Sequence, residues 1–172
     1  MTGSVDHVSY AVIVFVCIHI LSSTTLRAFV VGRVGERVIT TGFSLLSGAA
    51  FLWLLLAYAA APFEAGWTPP PALKWAPLII MPLAFILLVT SLTTPNPAMA
   101  GGDRALESGT TAIGIMTITR HPLFWSIALW GISHLLARGD LATIWMAGGM
   151  TVLALAGMPL QDRKKMQIKG AL

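Results

Sequence analysis

Apolar residues fall along this chain in five long runs separated by short polar or proline-rich breaks. The runs are Val8 to Leu26, Val38 to Ala61, Trp75 to Thr94, Pro122 to Ala137 and Leu141 to Leu160. About 20 mainly apolar residues cross the hydrocarbon layer of a bilayer as a helix. The pattern therefore predicts an all-α, polytopic transmembrane bundle of about five helices. It forms one domain over residues 1–172, with no soluble domain of any size.

The breaks carry their own chemistry. Proline ends helices and biases its predecessor away from them, so Pro62 and the run Trp67–Pro71 (WTPPP) force an extended connection. Pro95–Asp103 (PNPAMAGGD) breaks the chain again. Pro82 lies inside the third run, where neighbouring helices can satisfy the carbonyl it frees. Pro122 suits a first helical turn, and Asp140 is placed to cap the fifth helix. Between Arg104 and Arg120, threonines and glycines interleave with Leu106, Ile113, Ile115, Met116 and Ile118. That stretch reads as an interfacial helix or a re-entrant segment.

Composition agrees. The chain is 56% hydrophobic and 10% charged, against about 25% charged residues in soluble domains. Too few charges are present to clothe a soluble core. The net charge of +4 does not indicate a nucleic-acid partner, because the basic residues sit at the ends of apolar runs rather than on one face. Their distribution sets orientation instead. Arg27, Arg33, Arg37, Arg104, Arg120, Arg163, Lys164, Lys165 and Lys169 fall on one side, and Lys74 and Arg138 on the other. The N-terminus is expected outside and the C-terminus in the cytoplasm. Asp6, with nothing basic, precedes the first run and no small-residue cleavage site follows it, so that run reads as a retained helix. Cys17 is the only cysteine and reads as a small core residue.

Ionisable groups within membrane spans are costly and mark functional candidates. His19 lies in the first run and His134 in the fourth; His121 begins the fourth, beside Arg120; His7 is N-terminal. No Asp or Glu lies inside the five runs. Taken singly, a membrane histidine is often an interhelical hydrogen-bond donor. Arg120 and His121 read as headgroup contacts or partners of an anionic ligand. Ser22, Ser23, Thr24 and Thr25 read as back-bonding to their helix. Ser22 and Ser23 also stand one turn beyond His19, where they could orient its ring. The tryptophans read as interface belts or packing. Trp130 precedes His134 by one turn on the same face. Taken together, two histidines without acidic partners do not resemble a proton pump, nor a zinc hydrolase with its three ligands. Neutral imidazoles across an apolar bundle suit haem iron better. Gly131, Gly148 and Gly149 would admit a flat macrocycle or a neighbouring backbone.

Five segments give the chain a likeness: His19–Arg27 (HILSSTTLR), Phe43–Gly48 (FSLLSG), Thr119–Trp125 (TRHPLFW), Trp130–Leu141 (WGISHLLARGDL) and Asp162–Lys165 (DRKK). In these segments the chain resembles the NnrU family, multi-pass proteins of the bacterial inner membrane associated with denitrification genes. That family is in turn similar to 15-cis-zeta-carotene isomerase, a haem b enzyme. The resemblance implies haem b with axial ligands at His19 and His134. The isomerase's cysteine ligand would fall on Gly131, where this chain has none. Family members usually continue past the DRKK region, whereas this sequence stops at Leu172.

Three functions follow as expectations: an NnrU-type haem protein of nitrogen-oxide metabolism or haem-linked redox or isomerase chemistry, an S-adenosylmethionine-dependent membrane methyltransferase, or a non-catalytic assembly subunit. The second draws on Arg120-His121-Pro122 followed by an aromatic, a pattern shared with methyltransferases acting on isoprenylcysteine. Those enzymes usually carry a glutamate pair near the last helices, which Gly157–Lys165 lacks.

Overall fold

A computed structural model describes residues 3–22, 25–94 and 113–170, the backbone alone for 25–28, 164–165 and 167–170. It holds six α-helices among those residues: α1 (Val5–Ser22), α2 (Thr25–Val34), α3 (Glu36–Ala60), α4 (Ala76–Thr93), α5 (Pro122–Ala137) and α6 (Leu141–Gly170). The described residues also hold short 3-10 turns at Pro71–Trp75 and Gly114–Thr117. Among the described residues, four segments are long and apolar enough to cross a membrane: α1, α3, Pro71–Thr93 and Leu141–Arg163. The shorter apolar α5 rises about 24 Å at 1.5 Å per residue, less than a full hydrocarbon layer. It packs between α4 and α6, so protein rather than lipid covers much of its surface.

Several boundaries differ from the sequence pattern, among them the start of α1 at Val5 rather than Val8 and the end of the last helix. α1 is described as far as Ser22, and the basic connection from Thr25 to Val34 is itself helical as α2. Gly35, at φ 89°, then turns the chain into α3, a left-handed conformation that glycine adopts without steric cost. The last helix runs ten residues beyond Leu160. Nothing after Leu160 stops it, since Gln161 to Met166 are mostly good helix formers. The segment 95–112, with Arg104 and the expected break at Pro95–Asp103, lies outside the described residues, as do Ser23 and Thr24.

The helices pack in the order α4, α5, α6, α1, α3. Small residues set the spacing. A Cβ on Gly131 of α5 would run into Thr151 and the carbonyl of Ala147 on α6, and one on Gly149 of α6 into Val12 of α1. Gly157 faces the ring of Phe124. Gly131 and Gly149 thus admit a neighbouring helix rather than a macrocycle, while Gly148 faces open space. Around the α1–α6 seam, Val8, Ala11, Val12, Leu54, Ala57, Ala142 and Met146 form a buried core.

The end of the bundle where α1 begins is termed proximal, and the other end distal. At the proximal end the 62–75 connection docks on the α5–α6 turn. The amides of Gly66 and Trp67 donate to the Gly139 carbonyl at 2.8 and 2.9 Å, and Leu141 N–H donates to the Glu64 carbonyl at 2.8 Å. Backbone groups that lipid could not satisfy find partners this way.

Candidate functional site

His19 lies one turn before the distal end of α1. Its Nδ1 is 2.7 Å from the carbonyl of Phe15, and its Nε2 is 3.2 Å from Ser47 Oγ on α3. A carbonyl only accepts, so Nδ1 carries the proton and Nε2 accepts from the Ser47 hydroxyl. The ring lies between Phe15, at 4.2 Å between centroids, and the edge of Phe43, at 5.3 Å. Phe43 and Ser47 stand one turn apart and reach the same ring. Ser22, placed to orient the ring or to back-bond, donates to the His19 carbonyl at 2.7 Å and so does the latter; Ser23 lies outside the described residues, and it is Ser47 that bonds the ring. His19 borders a cavity of about 330 Å³ between the distal ends of α1, α3, α5 and α6, with Phe124, Gly157 and Leu160 on the far wall and Ser22, Thr40 and Gln161 as polar groups.

His134 lies one turn before the proximal end of α5. Its Nδ1 donates to the Trp130 carbonyl at 2.8 Å, and its ring stacks on Trp130 with centroids 4.5 Å apart, the same-face pairing that their spacing predicts. It borders a pocket of about 80 Å³ with Tyr58, Thr143 and Met146. Behind that pocket runs a polar chain. Tyr58 donates to Thr143 Oγ1 at 2.9 Å, Thr143 donates through Oγ1 to Asp140 Oδ2 at 2.8 Å, and Arg138 Nε reaches Asp140 Oδ1 at 2.9 Å. Thr143 N–H also donates to Asp140 Oδ2, at 3.1 Å; Asp140 therefore caps α6 as expected. Burial alone would raise the Asp140 carboxyl. The Thr143 hydrogen bonds and the Arg138 guanidinium outweigh it and hold the group below its usual value.

The structure does not bring His19 and His134 together. His19 stands fourteen residues into α1 from the proximal end and His134 three residues from it. At 1.5 Å per residue their depths are roughly 21 and 5 Å. Two imidazole nitrogens on one metal ion stand roughly 4 Å apart, twice a metal–nitrogen bond of about 2 Å. This pair does not fit as the two axial ligands of one haem. A side chain at Gly131 has no room either, so the isomerase-type cysteine has no counterpart position here. Both rings have Nδ1–H anchored to a carbonyl, as in metal-bound histidines generally, but His19 borders the larger cavity, about 330 Å³ against about 80 Å³ at His134, with its Nε2 held by Ser47.

His121, expected to face headgroups or an anionic ligand, is instead buried, with Nε2 3.1 Å from Asp162 Oδ1 on α6. Ending the fifth helix at Leu160 hides this partner; continuing it one turn brings Asp162 onto the same side. Arg120 is exposed. No group of three or more His, Cys, Asp or Glu capable of holding a metal ion occurs among the described residues. Ser47, Tyr58 and Thr143 are the site residues that sequence reasoning missed, although Ser47 stands inside the FSLLSG segment.

No curated protein and no solved structure matches the chain significantly. The model of the NnrU protein family matches residues 8–171, nearly the whole chain, and the chain belongs to the NnrU family.

Proposed function

We propose that this NnrU-family membrane protein holds haem b through His19 alone, in the distal cavity, and serves nitrogen-oxide metabolism in a bacterial inner membrane. The observation that carries the reading is His19 itself: an imidazole with Nδ1–H anchored to the Phe15 carbonyl, at the edge of a cavity walled by Phe124 and Leu160. Ser47 would give up its hydrogen bond to Nε2 when that nitrogen takes a metal. Haem held there would supply one-electron chemistry and the binding of a small ligand. The chain's own contribution is to orient the imidazole, to surround the site with apolar side chains, and to offer Ser22, Thr40 and Gln161 as polar contacts.

The test is the absorption spectrum of protein expressed with ample haem and purified in detergent. A haem spectrum is expected for the wild type, His134→Ala and His121→Ala, with at least a tenfold lower haem content in His19→Ala. Loss in His19→Ala and His134→Ala alike would restore the two-histidine arrangement. A colourless, folded wild-type protein would remove haem from the reading. Binding of S-adenosylmethionine by such a colourless protein would then favour the methyltransferase alternative, and its failure to bind would favour the assembly subunit.

The same reading places the proximal end outside and the distal end in the cytoplasm, on the distribution of Lys and Arg. A reporter fused after Leu172 should be active only in the cytoplasm, and one inserted between Pro62 and Lys74 only outside. The reverse pattern would overturn the orientation.

A further inference from the structure

A second cavity, of about 410 Å³, lies between α3 and α4, with α5 and α6 as its floor. Its size falls in the range of small-molecule sites, about 300–1,000 Å³. Phe51 and Leu55 of α3 and Phe85 of α4 line it and are each at least 39% exposed, so its mouth opens sideways, toward where lipid would lie. On α4 the lining runs from Met81 to Leu88, five residues from either helix end. The cavity therefore sits near mid-membrane, beyond the reach of a headgroup held at the interface.

One lining group breaks the apolar pattern. Ser126 of α5 is only 5% exposed, lines the cavity, and its hydroxyl has no hydrogen-bond partner among the described residues. A helical serine ordinarily back-bonds to a carbonyl one turn earlier, as Ser22, Ser44 and Ser91 do here. Ser126 stands in the cavity wall with no hydrogen bond of its own, and a ligand oxygen within reach would give its hydroxyl the partner it lacks. No lining residue is ionisable, so nothing there would offset a charged or phosphate-bearing ligand. An acyl tail could enter, but it carries no oxygen at that depth. Met81, Met146 and Met150 line the walls, and unbranched thioether side chains adapt to ligands of varied outline.

We propose that this cavity binds a neutral, lipid-soluble molecule carrying a hydroxyl or carbonyl oxygen, taken up laterally from the bilayer, with Ser126 as its hydrogen-bonding partner. The site is separate from His19 and stands whether or not haem binds there.

The experiment uses the full chain in lipid nanodiscs and a hexadecanol bearing a photoactivatable diazirine, with labelled peptides read by mass spectrometry. Labelling is expected on segments containing Met81–Leu88 and Met146–Met150. Excess hexadecanol should compete and hexadecane should not. Ser126→Ala should weaken labelling about threefold to tenfold, the worth of one hydrogen bond, and Ser126→Thr should keep most of it. Met81→Trp, which adds bulk to the cavity wall and leaves residue 126 a serine, should also reduce labelling. Competition by hexadecane equal to that by hexadecanol would overturn the proposal. So would equal labelling of these segments by a diazirine phosphatidylcholine, or labelling unchanged in Ser126→Ala.

Discussion

Replacing Asp140 by alanine should lower the stability of the bundle by about 2–4 kcal/mol, the range for removing a helix cap together with a buried hydrogen-bonded carboxylate. Asp140 is 4% exposed and joins three elements. Its carboxylate accepts from the backbone and side chain of Thr143 and from Arg138, and through Thr143 it holds Tyr58 of α3. Alanine would leave the Thr143 amide and hydroxyl unsatisfied beside the packed proximal ends of α3 and α6. Denaturation in mixed micelles measures the loss, and a change below about 0.5 kcal/mol would show that the network is dispensable. The same group sets a pH dependence. Its folded-state value lies below the ordinary 3.8, so its contribution is complete above that value and is lost as pH falls through the lower, folded one. Wild type and Asp140→Asn should therefore differ by a constant amount from about pH 5 to 8 and converge only in acid below about pH 4.

Gly131→Ala should destabilise the bundle by about 1–3 kcal/mol, because the added methyl would meet Thr151 and the Ala147 carbonyl of α6. This runs against local propensity, since alanine is favoured over glycine inside a helix by about 1 kcal/mol. Gly148→Ala is the control. Nothing lies within 4 Å of its added Cβ, and it should be neutral or slightly stabilising. Thermal unfolding of the two variants side by side decides the matter; equal behaviour would mean that α5 and α6 are not held at the separation described. Gly131→Cys should be destabilised like Gly131→Ala and should not acquire a new iron ligand.

The spans were legible because their chemistry is one-dimensional. Residues 122–137 are apolar between a proline and an arginine, and the helix begins and ends there. Asp140 before an apolar run reads as a cap from adjacent residues alone. Trp130 and His134 share a face by their spacing. Features that depend on which helices become neighbours were not legible. His19 and His134 both lie within spans, but depth along a span also depends on where each helix begins. Once α1 is seen to start at Val5, the two rings fall at opposite ends. Ser47 and Tyr58 become partners only through the pairing of α3 with α1 and α6, and His121 meets Asp162 only because α6 outruns its apolar stretch.

The spatial order α4, α5, α6, α1, α3 also bears on how the protein is made. During synthesis α1 and α3 emerge first and can pair at once, through Phe15 with Phe51 and His19 with Ser47. The helices α4, α5 and α6 form a second set in which each packs on the next. The principal seam joining the two sets runs between α1 and α6, where Val12 meets Gly149. The first of these helices to reach the membrane must therefore keep an apolar face unpartnered until the last arrives. The bundle closes at that seam last, and a bulkier residue at Gly149 would meet Val12 and loosen the join between the two sets.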